Sequence, residues 1–204
     1  MVLDYIEINS PINETLDLKE LGMKIIILLT LVTGQRLMTT LIKVDNIVAT
    51  LEGLQILIPD ILKTSKPGKD QPCLMLPFYK NNPALCVASA VLNYVERTSY
   101  IRGNLQYLFI SSKEPYRQLS KQTLSNWVKI TMAKAGIDTR IFKPHSTRHA
   151  STSKAWKQGI SFDVIRTTAG WTKDSKTFAS FYNRPLHGKY LFAETILSNV
   201  KLNG

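Results

Sequence analysis

The stretch K-P-H-S-T-R-H-A-S-T-S-K-A-W, residues 143–156, gathers more chemistry than any other part of the chain. His145 and Arg148 stand three residues apart, so a helix would place their side chains on one face near its N-terminus. Helix N-termini favour anions, and a guanidinium fork beside an imidazole matches the geometry of a phosphate. His149 stands four residues after His145, but no Cys, Asp or Glu lies near enough in sequence to complete a metal shell. There is no G-x-S-x-G, and neither Cys73 nor Cys86 stands in a nucleophile context. No Walker A loop and no G-x-G-x-x-G is present, so nothing signals a nucleotide cofactor. Taken alone, the His/Arg pair reads as a surface feature at the start of a helix.

Other reactive side chains lie far away in sequence and must be brought in by the fold. V-T-G-Q-R-L places Arg36 just after an apolar segment. That segment opens on D-L-K-E at Asp17, the pattern of a capping box. Leu18, Leu21, Ile25, Leu28, Leu29 and Val32 recur at helical spacing, and Gly34 sits where a helix would stop. Three β-like runs follow, 46–50, 54–58 and 73–77, which predict a small antiparallel sheet. Between the last two lies the basic loop I-L-K-T-S-K-P-G-K-D-Q-P, with Lys63, Lys66 and Lys69.

Beyond the sheet the pattern is helical. Asn82-Pro83 reads as a cap followed by proline at the first helical position, with Leu85, Ala88, Val91, Leu92 and Val95 as the apolar stripe. Residues 120–136 begin on a capping serine and end on glycine, with Leu124, Trp127, Val128 and Met132 facing inward. The H-S-T-R-H helix is expected to start at Pro144 and end at Gly159. Short helices follow at 161–170 and 174–182, carrying A-G-W with Trp171 and F-Y-N-R-P with Tyr182. The final segment is amphipathic and helical. The fold class is α+β, mostly α, with a small three-stranded antiparallel sheet inserted after the first helix.

In this order the segments resemble the tyrosine recombinase family, also called phage integrases: an arginine after T-G, a lysine on a β-hairpin, H-x-x-R, a G-H or G-W pair, then a nucleophilic tyrosine. The likeness runs from about Leu18 to Pro185. It implies that Tyr182 attacks a scissile phosphate and holds a 3′-phosphotyrosyl bond to DNA. It implies that Arg36 and Arg148 clamp the non-bridging oxygens, and that His145 handles a proton or donates to the phosphate. Trp171 would supply an indole N–H where many relatives have histidine. The general-acid lysine would be Lys63, with Lys66 the second choice. Lys66, Lys69, Lys143 and Lys173 would contact the DNA backbone, and His149 would pack behind the site. No cofactor and no metal is implied, because the exchange of one phosphodiester for another conserves bond energy.

The chain departs from the family pattern in three ways. Thr39 and Thr40 stand where many relatives carry an acidic residue. Tyr182 follows Trp171 by eleven positions, a long gap. Only 35 residues precede Arg36, too few for the N-terminal clamp domain of relatives. The expected organisation is a catalytic domain at 1–185, its residues 1–16 an extension or linker remnant, and a helical tail at 186–204. The tail either exchanges between subunits or packs on its own domain.

Composition agrees with a polyanionic partner. Twenty-six Lys and Arg against fifteen Asp and Glu leave a formal charge of +11 across 204 residues. Spread along the chain, that charge favours a positive face and double-stranded DNA as its partner. The longest apolar stretch is too short to cross a bilayer, and the N-terminus lacks the features of a signal peptide. Two cysteines fit buried free thiols in a reducing compartment. The resemblance further implies a homo-oligomer, a tetramer, when DNA sites are synapsed. The wording of the lysine loop and of the H-S-T-R-H segment is closest to recombinases of eukaryotic mobile elements, DIRS-like retrotransposons and cryptons, which implies a nuclear setting. Type IB topoisomerase-like relaxation, or a domesticated DNA-binding protein without cleavage, are the alternatives.

Overall fold

The computed structural model describes residues 1–35, 42–59 and 73–171. The chain divides into two compact units, residues 1–172 and 173–204, and all described residues belong to the first. Arg36, Thr39, Thr40, Lys63, Lys66, Lys69, Lys173, Tyr182 and the helices expected at 174–182 and beyond lie outside the described residues.

The first unit is built around one apolar helix. Helix α1 spans Val2–Asn9 and α2 spans Leu18–Thr33. Asp17 caps α2 by accepting from the Glu20 amide at 2.7 Å, and the Glu20 carboxylate accepts the Asp17 amide in return at 3.2 Å. Such a reciprocal pair satisfies two N–H groups that the first turn leaves without partners. Leu21, Ile25, Leu28 and Leu29 are buried as the spacing predicts, but so are Met23, Ile26 and Ile27. A helix that is apolar nearly all round is a buried helix. Accordingly α2 packs against α3 (Val87–Arg102), α4 (Lys121–Lys134) and α5 (Ser146–Lys157). Val32, at its end, is exposed.

Helix α1 has no capping signal that announces it, yet Ile6 is 1% exposed in the core. The segment between α1 and α2 is tied down by cations. Lys24 Nζ donates to the Ser10 carbonyl and to Asn13 Oδ1, both at 2.7 Å. Arg97 donates to the carbonyls of Asn13 (3.1 Å) and Leu16 (2.9 Å). Burial pushes the Lys24 ammonium down to about 8, against the attraction of Glu14 and Cys86.

The three strands fall on the expected β-like runs: β1 Ile47–Ala49, β2 Gly53–Leu57 and β3 Cys73–Pro77. They pair antiparallel in the order β1-β2-β3, with Leu54 opposite Leu76 and Ile56 opposite Leu74. Those four side chains are buried, whereas Val48, Leu57 and Met75 point outward. Cys73 belongs to the outer face, so of the two thiols only Cys86 is buried.

Helix α3 starts later than the Asn82-Pro83 signal suggests. Those residues form a single 3₁₀ turn at Pro83–Leu85, and α3 follows at Val87. Its buried side is Val87, Ala88, Ala90, Val91, Tyr94 and Thr98, with Leu92 turned out. In α4 the expected residues are buried, with Thr131 beside them, and Ser120 Oγ accepts from the Thr123 amide at 3.1 Å. Helix α6, Phe162–Thr168, is capped by Ser161.

Candidate active site

The C-terminal corners of α2 and α6 and the first turn of α5 meet at one side chain. Helix α2 ends on Gly34, whose φ of +57° is a left-handed conformation that few other residues adopt without cost. A Cβ there would also come within 3.3 Å of Thr152 Cγ2 on α5. Thr33 Oγ1 donates to the Leu29 carbonyl at 2.7 Å and accepts the Gln35 amide at 3.2 Å, which turns the chain sharply out of the helix.

Helix α6 ends by the same logic in fuller form. The Trp171 amide donates to the Arg166 carbonyl at 2.9 Å and the Gly170 amide to that of Thr167 at 3.1 Å. With Gly170 at φ +67°, this is a Schellman motif. The tripeptide A-G-W is therefore a helix stop, and the stop sets where the indole of Trp171 goes.

Arg148 joins the two corners. It is 5% exposed, and Nη1 donates to the Gly34 carbonyl at 2.8 Å and to the Ala169 carbonyl at 2.7 Å. The guanidinium carbon lies 4.5 Å from the centre of the Trp171 ring, a cation–π contact. Both acceptors belong to helix C-termini, where the aligned peptide dipoles carry about half a negative charge and favour a cation. The carbonyl of Arg148 is in turn held by Thr152 Oγ1 at 2.7 Å, which secures the first turns of α5.

The two residues of the H-x-x-R pair differ in burial. The helix proper begins at Ser146, not Pro144; Lys143 to Thr147 form turns, with the Ser146 amide on the Lys143 carbonyl at 2.8 Å. His145 is then the cap residue and is exposed, while Arg148, one turn in, points to the core. His149 is exposed as well instead of packed, with Nδ1 at 3.3 Å from Ser153 Oγ. Lys143 is exposed and its Nζ donates to the Thr139 carbonyl at 3.3 Å. Of the expected site residues that are described, the fold thus brings Arg148 and Trp171 into contact and leaves His145 and Lys143 at the surface nearby in sequence. Gly34 stands two residues before Arg36.

Sequence reasoning did not single out Gln35, Thr168 and Ala169. The Gln35 Nε2 donates to the Thr168 carbonyl at 2.6 Å, and Ala169 supplies a carbonyl to Arg148. Backbone acceptors leave no trace in residue identity. The one legible signal is the pair of glycines, Gly34 and Gly170, each beside a residue of the set.

Several solved structures share this fold. XerH site-specific recombinase bound to difH substrate, in a pre-cleavage complex, superposes with a TM-score of 0.66 at 15% identity over 95% of this chain and 49% of that chain. The same recombinase on palindromic difH substrate, in a post-cleavage complex, gives 0.65 at 16% identity over 98% and 49%. XerA recombinase gives 0.57 at 16% identity over 92% and 62%. The chain therefore spans about half the length of the XerH chains. No curated protein sequence matches it. The sequence profile described as the Phage integrase family matches residues 4–187, nearly the whole chain, with the T-G-Q-R, H-x-x-R, A-G-W and F-Y-N-R-P segments inside the match. The chain belongs to the phage integrase family, the tyrosine recombinases.

Proposed function

We propose that this protein cuts and rejoins double-stranded DNA by transesterification through a covalent 3′-phosphotyrosyl intermediate, in site-specific recombination. The observation that carries the reading is the convergence of two distant motif segments, T-G-Q-R through Gly34 and A-G-W through Ala169 and Trp171, on the Arg148 guanidinium of a third. A packed core alone has no need to assemble those three segments around one cation.

The phenolic oxygen of Tyr182 attacks the scissile phosphorus and forms the tyrosyl–phosphate bond as the bond to the 5′-oxygen breaks. Arg36 and Arg148 hold the non-bridging oxygens, where guanidinium groups are worth a factor of about 10² to 10³ each in rate. Lys63, or Lys66 in its place, gives its proton to the departing 5′-oxygen. His145, at the exposed start of α5, takes part in proton transfer at the tyrosine, and the Trp171 indole N–H donates to the phosphate. The released 5′-hydroxyl of a partner strand then reverses the step, so no high-energy cofactor is consumed. Lys66, Lys69, Lys143 and Lys173 hold the DNA backbone, consistent with the +11 charge.

Strand exchange between two sites further calls for a homo-tetramer on synapsed DNA, with residues 186–204 either docking on a neighbour or packing on their own domain. The wording of the lysine loop and of the H-S-T-R-H segment supports a mobile-element recombinase working in a eukaryotic nucleus. Among the described residues no helix is long and apolar enough to cross a membrane.

The test is relaxation of supercoiled plasmid in EDTA, comparing the unaltered chain with Tyr182→Phe. The expected result is relaxation by the unaltered chain with protein attached to 3′ ends, and none by the variant. Equal relaxation by both would remove Tyr182 from the role. Tight DNA binding without relaxation by either would favour a binding protein that has lost cleavage.

A further inference from the structure

Gln35 sits between the first corner glycine and Arg36 in sequence, and nothing in the chemistry assigned above uses it. It is 4% exposed. Its Nε2 reaches 2.6 Å to the Thr168 carbonyl, a contact between residues 133 positions apart. Burying an amide is unfavourable unless its hydrogen bonds are made. The direction of this bond is unambiguous, because a carbonyl can only accept. On the far side, a Cβ at Gly170 would stand 2.9 Å from Gln35 Oε1 and 3.0 Å from Nε2, so the amide is wedged against the backbone that leads into Trp171.

Arg148 and Gln35 thus cross-link the same two corners in opposite directions. Arg148 draws in the carbonyls of Gly34 and Ala169; Gln35 reaches from the next residue of the first corner to the residue before Ala169. The first bond is a charge-assisted one whose guanidinium is itself part of the proposed chemistry. The second joins two neutral groups. We infer that Gln35 is a positioning residue for strand cleavage: its buried amide sets the spacing between the corner that leads into Arg36 and the corner that presents Trp171 to Arg148. The inference rests on the recombinase reading and adds to it a side chain that acts through others, without touching DNA.

The experiment uses the whole chain and a supercoiled plasmid, and measures two quantities: the single-turnover rate of covalent adduct formation and the DNA dissociation constant. Gln35→Met keeps the length and loses the donor. Gln35→Glu keeps the shape and turns the donor into an acceptor facing the Thr168 carbonyl. Gln35→Met is expected to slow the adduct by about 10- to 10²-fold, the usual cost of an ångström-scale misplacement, with DNA affinity unchanged. Gln35→Glu should be slower still near neutral pH and recover as pH falls, because the protonated carboxyl regains an O–H donor. Burial raises the pKa of that introduced carboxyl and Arg148, the charged group beside it, lowers it, so the recovery follows the balance of the two. The amide of the unaltered protein does not titrate and has no such limb.

An adduct rate for Gln35→Met equal to that of the unaltered chain would overturn this inference and leave the recombinase reading intact. A parallel loss of adduct and of DNA affinity would reduce Gln35 to a fold-holding residue and overturn it too. Absence of adduct from the unaltered chain would overturn both.

Discussion

Among the described residues two arginines are buried, and both are held by backbone carbonyls. Arg102 closes α3: its Nη1 donates to the Tyr107 carbonyl at 2.5 Å, and its Nη2 donates to Thr98 Oγ1 at 2.6 Å and the Leu108 carbonyl at 3.1 Å. Every one of those partners lies within six residues of it in sequence. Arg148 draws its carbonyls from 114 residues before and 21 residues after, and stacks on Trp171. The first is a local staple that shapes one helix-to-loop turn. The second is a knot between three chain segments. Burial does not distinguish them; the sequence distance of the partners does, and only the second coincides with the motif residues of a recombinase.

Substitution at the two sites separates the roles. The largest effect is expected at the knot. Arg148→Lys keeps the charge but replaces a planar fork with a single ammonium that cannot hold both corners and a phosphate. Covalent adduct formation should fall by about 10²- to 10³-fold, measured at single turnover. Arg102→Lys should cost about 1–3 kcal/mol of folding stability through carbonyls left without donors, read by urea denaturation. Its adduct rate, measured where the protein stays folded, should match that of the unaltered chain. Equal damage to cleavage at both positions would erase the comparison, and would mean that Arg148 is no more than a second staple.

The smallest effect sharpens the contrast from a third buried cation. Lys24, like the two arginines, is held by oxygen atoms of the chain, but as an ammonium it can shed its proton. Its folded pKa of about 8 lies below the ordinary 10.5. Below pH 8 both folded and unfolded states are protonated and the desolvation cost is present in full. Between about 8 and 10.5 the unfolded state binds more protons than the folded one, so this group's contribution to stability rises with pH. The melting temperature of Lys24→Met should lack that rise when compared with the unaltered protein across the same interval. An identical pH profile in the two proteins would show that Lys24 does not sit in the low-polarity environment described.

Much of the fold was legible because its signals are short-ranged. The capping box of Asp17 and Glu20, the Ser120 cap, the glycine stop at Gly34 and the β-like runs of the three strands each involve residues within a few positions of one another, and each forms where the sequence predicts. Where the reading slipped, a longer-range contact had decided. Asn82-Pro83 starts only a 3₁₀ turn, since α3 takes its position from its packing on α2 and the sheet. Helix α1 has weak local signals and is placed by Ile6 in the core. The inward stripe of α3 turns on Tyr94, whose hydroxyl donates to the Ile110 carbonyl at 3.2 Å, so Leu92 faces out.

The site divides in the same way. The sequence by itself determined the family, through the order of T-G-Q-R, H-x-x-R, A-G-W and F-Y-N-R-P, and the glycines in two of those segments dictate helix stops through their positive φ. Tertiary structure alone decided that Arg148 turns inward while His145 stays at the surface. The acceptors that draw it in are the backbone carbonyls of Gly34 and Ala169, groups that every residue possesses and no sequence pattern marks. Only when two helices end side by side do those carbonyls point at one place, and there a buried guanidinium becomes cheaper to hold than to expose.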